Sequence, residues 1–240
     1  MKRVVSQLIP ARWRDALRER FSERAYRRLA YSQEGEDLLL HRLFDGQPTG
    51  IYVDVGAHHP FRFSNTCLLH KQGWRGINID ALPGSMVSFE RFRPRDVNLE
   101  LGVAAEPADL EFFIFLEPAL NTFDPNLADE RQALGWQLKA TKTVKCLPLN
   151  QILERELPRL NADNIDLLSV DVEGLDLDVL RSNDWTRFSP RVLLIEVLDQ
   201  DVAGVINSEI GEYCVALGYS PFAKMHHSVV FLRADTVPRK

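Results

Sequence analysis

Ile51-Tyr-Val-Asp-Val-Gly-Ala57 is a short apolar run that stops at a glycine, the pattern of a buried parallel strand whose backbone must turn tightly. A second run, Gly76-Ile-Asn-Ile-Asp80, ends in a carboxylate 24 positions beyond Gly56. That spacing is near the roughly 20-residue offset at which a second strand presents an acid to ribose hydroxyls. Together the two runs predict a nucleotide site built on Gly56, Ala57 and Asp80. The turn between them, Asp54-Val-Gly-Ala-His-His-Pro60, holds one glycine where a dinucleotide fingerprint needs three, so a pyrophosphate is poorly accommodated. A nucleoside without phosphate, such as S-adenosylmethionine, fits this turn better than NAD.

Outward from that segment the chain alternates between strand and helix patterns. Helical spacing is read over 34–44, with Ser32 as N-cap, over 64–72 ending at Gly73, from Pro83 to about Phe92, and over 149–156, 175–181 and 206–217. Strands are read at 51–55, 76–80, 97–103, 165–170, 192–197 and 228–233, with an extra one at 110–116 and a short extended piece at 144–147. The polar stretch 121–142 reads as an irregular excursion that shapes an acceptor pocket. Strands alternating with helices predict an α/β fold, a mostly parallel sheet covered on both faces.

The 240 residues are 45% hydrophobic and 26% charged, enough for one good core. The expected organisation is a basic extension over 1–30, one domain over 31–235, and a short tail over 236–240. The net charge of −5 disfavours a general nucleic-acid binder. Residues 1–30 nevertheless carry nine Lys/Arg against three acids, so the remaining 210 stand at −11. Leu8, Ile9, Trp13, Leu17 and Phe21 recur there at helical spacing among arginines. That pattern is a basic amphipathic helix that packs on the protein or a partner, or lies on an anionic membrane. Cys67, Cys146 and Cys214 have neither CxxC spacing nor an even count, which argues against zinc and disulfides. No apolar run approaches the ~18 residues of a membrane span, so a cytoplasmic protein is expected, peripheral to the inner membrane surface if the basic segment binds lipid.

Ligands of open α/β sheets bind beyond the carboxyl ends of the strands, and acids recur there. Asp80 is expected to bind the ribose diol, and Asp54 to order the loop. Ser64 and Asn65 stand at a predicted helix N-terminus that suits the carboxylate of a methionine moiety. Asp171 and Glu173 follow a buried strand and precede Gly174. A carboxylate there can accept a hydroxyl proton or bind a divalent cation. Glu196, near the end of the neighbouring strand, is hard to bury without a partner, so sharing a proton or metal with Asp171 is expected. Oxygen ligands suit magnesium, manganese or calcium better than zinc. His58, after the glycine turn, is placed in the cofactor site, and His227, before the last strand, is a candidate base of suitable pKa.

Seven ordered stretches carry a resemblance to a known family: residues 31–37 (YSQEGED), 53–57 (VDVGA), 64–66 (SNT), 73–80 (GWRGINID), 93–96 (RPRD), 169–174 (SVDVEG) and 195–196 (IE). Over roughly 31–233 the chain resembles FkbM-family S-adenosylmethionine-dependent methyltransferases. The resemblance implies a Rossmann-like class I methyltransferase fold with a seven-stranded sheet. It also implies methyl transfer to an oxygen, often a sugar hydroxyl of a glycan, glycolipid or natural product, and places Gln33 and Glu36 near the cofactor. His58-His59-Pro60 departs from the small residue or Asn commoner in the family after the Gly-Ala turn. A non-catalytic nucleoside-binding or membrane-tethered scaffold of the same fold is the alternative. The acids at four strand ends argue against it, since a degenerate site has no use for several mutually repelling carboxylates.

Overall fold

β1 (Ile51–Val55) is an interior strand of a seven-stranded sheet, buried on both faces and paired along both edges. It runs parallel to β2 (Arg75–Asp80) on one side and to β7 (Leu167–Val170) on the other. The computed structural model describes residues 26–198 and 200–235, with Trp13, Glu19 and Glu23. It divides the chain into two compact units, Met1–Ala30 and Tyr31–Lys240.

With β3 (Val97–Glu100), β8 (Val192–Glu196), β9 (Tyr219–Lys224) and β10 (Ser228–Arg233), the sheet order is β3-β2-β1-β7-β8-β10-β9. β10 is antiparallel to both of its neighbours. Strand order reverses between β1 and β7, the switch point at which such sheets bind ligands. This is the Rossmann-like methyltransferase architecture the resemblance implied.

Residue alternation sorts the strands onto two cores. Val53, Val55, Leu168, Val170, Leu193 and Ile195 face one layer, with α5 (Leu149–Glu156), α6 (Asp176–Arg181) and α8 (Glu209–Ala216) over it. Tyr52, Leu167, Val192, Leu194 and Val230 face the other, under α1 (Glu36–Leu43) and α2 (Cys67–Gln72). By the same parity Asp54, Ser169 and Glu196 belong to the α1–α2 face, near the starts of those helices.

Several expected elements shift. The strand read at 97–103 splits: β3 ends at Glu100, and Gly102–Val103 forms β4 in a separate three-stranded sheet of order β4-β6-β5. β5 is Ala108–Phe115 and β6 is Leu138–Leu147, which absorbs the short piece at 144–147. The stretch 121–142 is therefore not irregular. It holds α4 (Pro125–Ala133), which Asp124 caps by accepting the Asn126 N–H at 2.8 Å, and then the first half of β6. Its Lys/Thr-rich sequence hid a strand because one face of β6 is solvated and has no apolar alternation to show.

The helix read at 206–217 breaks into α7 (Val202–Ile206) and α8, since Ser208 stops one and caps the other by accepting the Gly211 N–H. β9 was not foreseen; Pro221 demotes such a run, and an edge strand tolerates it. The helix read from Glu34 begins at Glu36 with Gly35 as N-cap at φ 91°. Ser32 Oγ still accepts the Gly35 and Asp37 N–H groups. The helix read from Ser64 begins at Cys67, so α2 has six residues. α3 is Met86–Phe92.

Most of the expected N-terminal amphipathic helix (Leu8, Ile9, Leu17, Phe21 and the arginines among them) and the tail 236–240 lie outside the described residues. Trp13 and Tyr26 are helical and exposed, and Arg27 Nε donates to Glu23 one turn back at 3.0 Å. No helix among the described residues is long and apolar enough to cross a membrane.

Candidate functional site at the strand switch point

Gly56 adopts φ 81°, and a Cβ there would stand 1.7 Å from the backbone oxygen of Asp171. The glycine is required because β7's exit crosses it closely, as well as by the turn conformation. The N–H groups of Gly56 and Ala57 both donate to Ile79 O, at 2.9 and 3.0 Å, which bends the chain over the end of β2. Asp80 then accepts the His58 N–H on one carboxylate oxygen and the Leu82 N–H on the other, both at 2.8 Å. Burial pushes its carboxyl up, and those two N–H bonds oppose the shift. His58 sits at φ 54°. Burial and then the Arg62 guanidinium push its ring down to about 4, so it is neutral at physiological pH.

A buried arginine holds the rest of this loop. Arg93 Nη2 donates to Pro60 O and Ser64 Oγ, each at 2.7 Å, and Nη1 donates to Thr66 Oγ1 at 2.8 Å and Asn78 Oδ1 at 3.2 Å. Thr66 passes its own proton to Asp54 at 2.6 Å. Asp54 therefore orders the loop, as expected, although through a hydroxyl. Ser64 differs from expectation: it is 1% exposed and turned to Arg93, so its hydroxyl is spent inside the protein. Asn65 Nδ2 donates to Ser169 Oγ at 3.2 Å, and its side chain reaches the cavity wall.

Across the switch point, strand register brings the acids together. Val170 and Ile195 are the last paired row of β7 and β8, so Asp171 and Glu196 leave adjacent strands side by side, about 4.8 Å apart as strands are. Glu173 joins them, and one oxygen from each of the three lies within 4.8 Å of the others. Glu173 holds φ 55°, a conformation costing a non-glycine residue about 1–3 kcal/mol. It is kept there by Thr122 Oγ1, which donates to its carbonyl at 2.8 Å, by Asp176, which accepts the Val172 and Gly174 N–H groups, and by an ion pair with Arg131.

Burial, then mutual repulsion, raises these carboxyls. Asp171 is pushed well above the ordinary range by burial and by Glu173 and Asp176. Glu196 is pushed up to about 10 by burial, then by Asp171 and Glu173. Burial raises Glu173 as well, with Arg131 opposing.

Because β10 runs against β8, the residues preceding it lie at this same end of the sheet, which settles the position of His227. Glu34 meets its ring at Nδ1 and accepts its backbone N–H.

The glycine turn, Asp80, the three acids and His227 border one cavity of about 500 Å³, within the range of small-molecule sites. Asp80, Gly56, Ala57 and His58 line one part; Asp171, Glu173, Glu196, His227 and Gln33 line another. Phe112 and Phe123, tilted against each other at 4.6 Å between centroids, wall it from the β5–β6 side together with Arg131. Arg131, the two phenylalanines and Glu34 were absent from the sequence-based site. The Asp124-Pro125 cap signal could have placed α4, and hence Arg131.

The profile of the methyltransferase FkbM domain matches residues 54–221. The chain belongs to the FkbM methyltransferase family. No curated protein matches it. In this methyltransferase the matched region runs from Asp54, at the end of β1, into β9, and so takes in the glycine turn, Asp80, the hairpin wall and the three clustered acids.

Proposed function

We propose that this chain is an S-adenosylmethionine-dependent O-methyltransferase acting on a hydroxyl, most simply that of a sugar in a glycan, glycolipid or natural product. The observation that carries the reading is the single cavity with Asp80 at one part of its wall and the clustered acids with His227 at another.

The donor set fits the nucleoside. Asp80 has lone pairs left for ribose hydroxyls after its two backbone bonds, and Ile79, Leu101 and Phe112 offer apolar surface to a base. Asn65 and the turn at Gly56–Ala57 stand where a methionine carboxylate would lie. S-adenosylmethionine supplies a methyl group already activated on a sulfonium. The chain's own task is to align the acceptor oxygen with that carbon and take up one proton. Alignment can supply on the order of 7–11 kcal/mol, and a positioned proton acceptor roughly two to four decades of rate.

Asp171, Glu173, Glu196 and His227 are the residues placed to handle the proton and to hydrogen-bond the acceptor. Gln33, Arg62, Glu117 and Asn121 on the cavity wall suit a polyhydroxylated acceptor. A divalent cation held by Asp171 and Glu196, with Glu173 as a third oxygen ligand, fits the donor chemistry of magnesium, manganese or calcium. It would lower the carboxyl pKa values and acidify the hydroxyl. The basic segment 1–30 is the part proposed to meet an anionic membrane or partner. The net charge of −5 speaks against nucleic acid as substrate.

Isothermal titration with S-adenosylhomocysteine, S-adenosylmethionine and NAD tests the cofactor reading. Binding of the two sulfur nucleosides and not of NAD is expected; NAD binding alone would overturn it. Composition analysis of glycans from cells lacking the gene should show loss of one O-methyl sugar, and an unchanged profile would remove the sugar acceptor.

A further inference from the structure

The segment before α1 is fastened to the turn before β10 at neighbouring points. Glu34 Oε2 accepts the backbone N–H of His227 at 3.0 Å, and Oε1 meets the ring at Nδ1. Ser228 Oγ donates to Glu36 Oε1 at 3.2 Å, and the other oxygen of Glu36 accepts the Glu34 N–H at 2.8 Å. One carboxylate thus grips both the main chain and the ring of the same histidine, 193 positions away. Burial pulls the Glu34 carboxyl up, yet the hydrogen bonds it accepts from His227 and His226 outweigh that and leave it below the ordinary range.

The surroundings of the ring are specific. His226 packs edge-on against it at 4.3 Å between centroids. Lys224 Nζ is tied to the carbonyls of Val197, Met225 and His226, and Glu173 faces the ring across the cavity. Among the described residues nothing else hydrogen-bonds the imidazole. A ring whose Nδ1–H donates to a carboxylate keeps its lone pair on Nε2, and this histidine lines the cavity.

We propose that Glu34 is a positioning residue that holds the His227 ring protonated at Nδ1, so that Nε2 receives the proton of the acceptor hydroxyl. The proposal rests on the methyltransferase reading above. In the step, the hydroxyl O–H breaks and its proton passes to Nε2, while the oxygen forms the new bond to the methyl carbon. The carbon–sulfur bond breaks with its electron pair left on sulfur, which becomes a neutral thioether. The positive charge that leaves sulfur reappears on the imidazolium, next to the Glu34 carboxylate. The neighbouring acids suit this task less well. Arg131 engages Glu173, and the three acids crowd within 4.8 Å of one another, whereas the His227 ring is oriented by Glu34. These acids are then left to hydrogen-bond and orient the acceptor.

The test uses the full 15N-labelled chain with S-adenosylhomocysteine at pH 7.5 and reads the His227 tautomer by long-range proton–nitrogen correlation. His227→Asn assigns the signals. The expected wild-type pattern is protonation at Nδ1 alone, and Glu34→Gln, which keeps an oxygen for the backbone N–H, should shift it toward Nε2–H. An Nε2–H or doubly protonated ring in the wild type, or signals unchanged by Glu34→Gln, would overturn the proposal. Should Glu34→Gln not fold, the wild-type tautomer still decides.

In cells, O-methyl sugar content at equal protein level should fall at least tenfold in Glu34→Gln and by roughly two to four decades in His227→Asn. Full methylation by His227→Asn would equally sink the idea. S-adenosylhomocysteine affinity should stay within about twofold in both variants. A wild type that binds no sulfur nucleoside would instead refute the methyltransferase reading and leave the tautomer result standing on its own.

Discussion

Around the Gly56 turn Arg93 donates to five oxygen atoms, those of Tyr52, Pro60, Ser64, Thr66 and Asn78, and Asp80 has a backbone N–H on each carboxylate oxygen. Across the cavity Asp171 and Glu196 have no hydrogen-bond donor to their carboxylates among the described residues, and burial and then Asp171 push the Glu196 carboxyl up. The first region is satisfied before any ligand arrives. The second keeps its polar capacity open, at a cost in stability that only a substrate, proton or cation can recover. The contrast accords with one end holding a cofactor in fixed geometry while the other performs chemistry.

Three substitutions can break that contrast. The largest effect is expected from Arg93→Met, which removes the buried guanidinium that offsets Asp54 and leaves the oxygens it serves without their donor. Unfolding free energy should fall by about 3–5 kcal/mol in a denaturant titration, and a loss under about 1 kcal/mol would mean the arginine does not anchor the loop. Next, Asp80→Asn should weaken S-adenosylhomocysteine binding roughly 10- to 100-fold, the equivalent of about 1.5–3 kcal/mol for a hydrogen bond to a charged group. Calorimetry showing unchanged affinity would move the ribose away from Asp80.

The opposite effect belongs to Glu196. Its carboxyl is raised on folding from the ordinary 4.5 to about 10, so the folded state binds more protons across that window and stability falls as pH rises through it. Glu196→Gln removes the penalty. Its melting temperature should exceed that of the wild type at pH 8 and match it near pH 4; a lower value at pH 8 would show that the charged carboxylate is satisfied after all.

Much of this was legible along the chain. β1 and β2 announced themselves as apolar runs ending at Gly56 and Asp80, because buried parallel strands cannot carry alternating polar residues. Asp171, Glu173 and Glu196 could be singled out because each follows or ends such a run. The reading weakened where polar sequence forms structure through one solvated face, as in β6, and where a proline sits in an edge strand, as in β9. It misjudged Ser64, since a hydroxyl near a helix start looks the same whether it meets a ligand or a buried Arg93 29 residues downstream.

Amino-acid order alone determined the fold class, the glycine turn after β1 and the acids at the strand ends, since these depend on local periodicity. Tertiary structure decided which groups meet. The register of β7 with β8 places Asp171 beside Glu196, the antiparallel course of β10 brings His227 to the same end, and Glu34 reaches that histidine from 193 positions away. Such contacts depend on strand direction and register, which no window of sequence encodes.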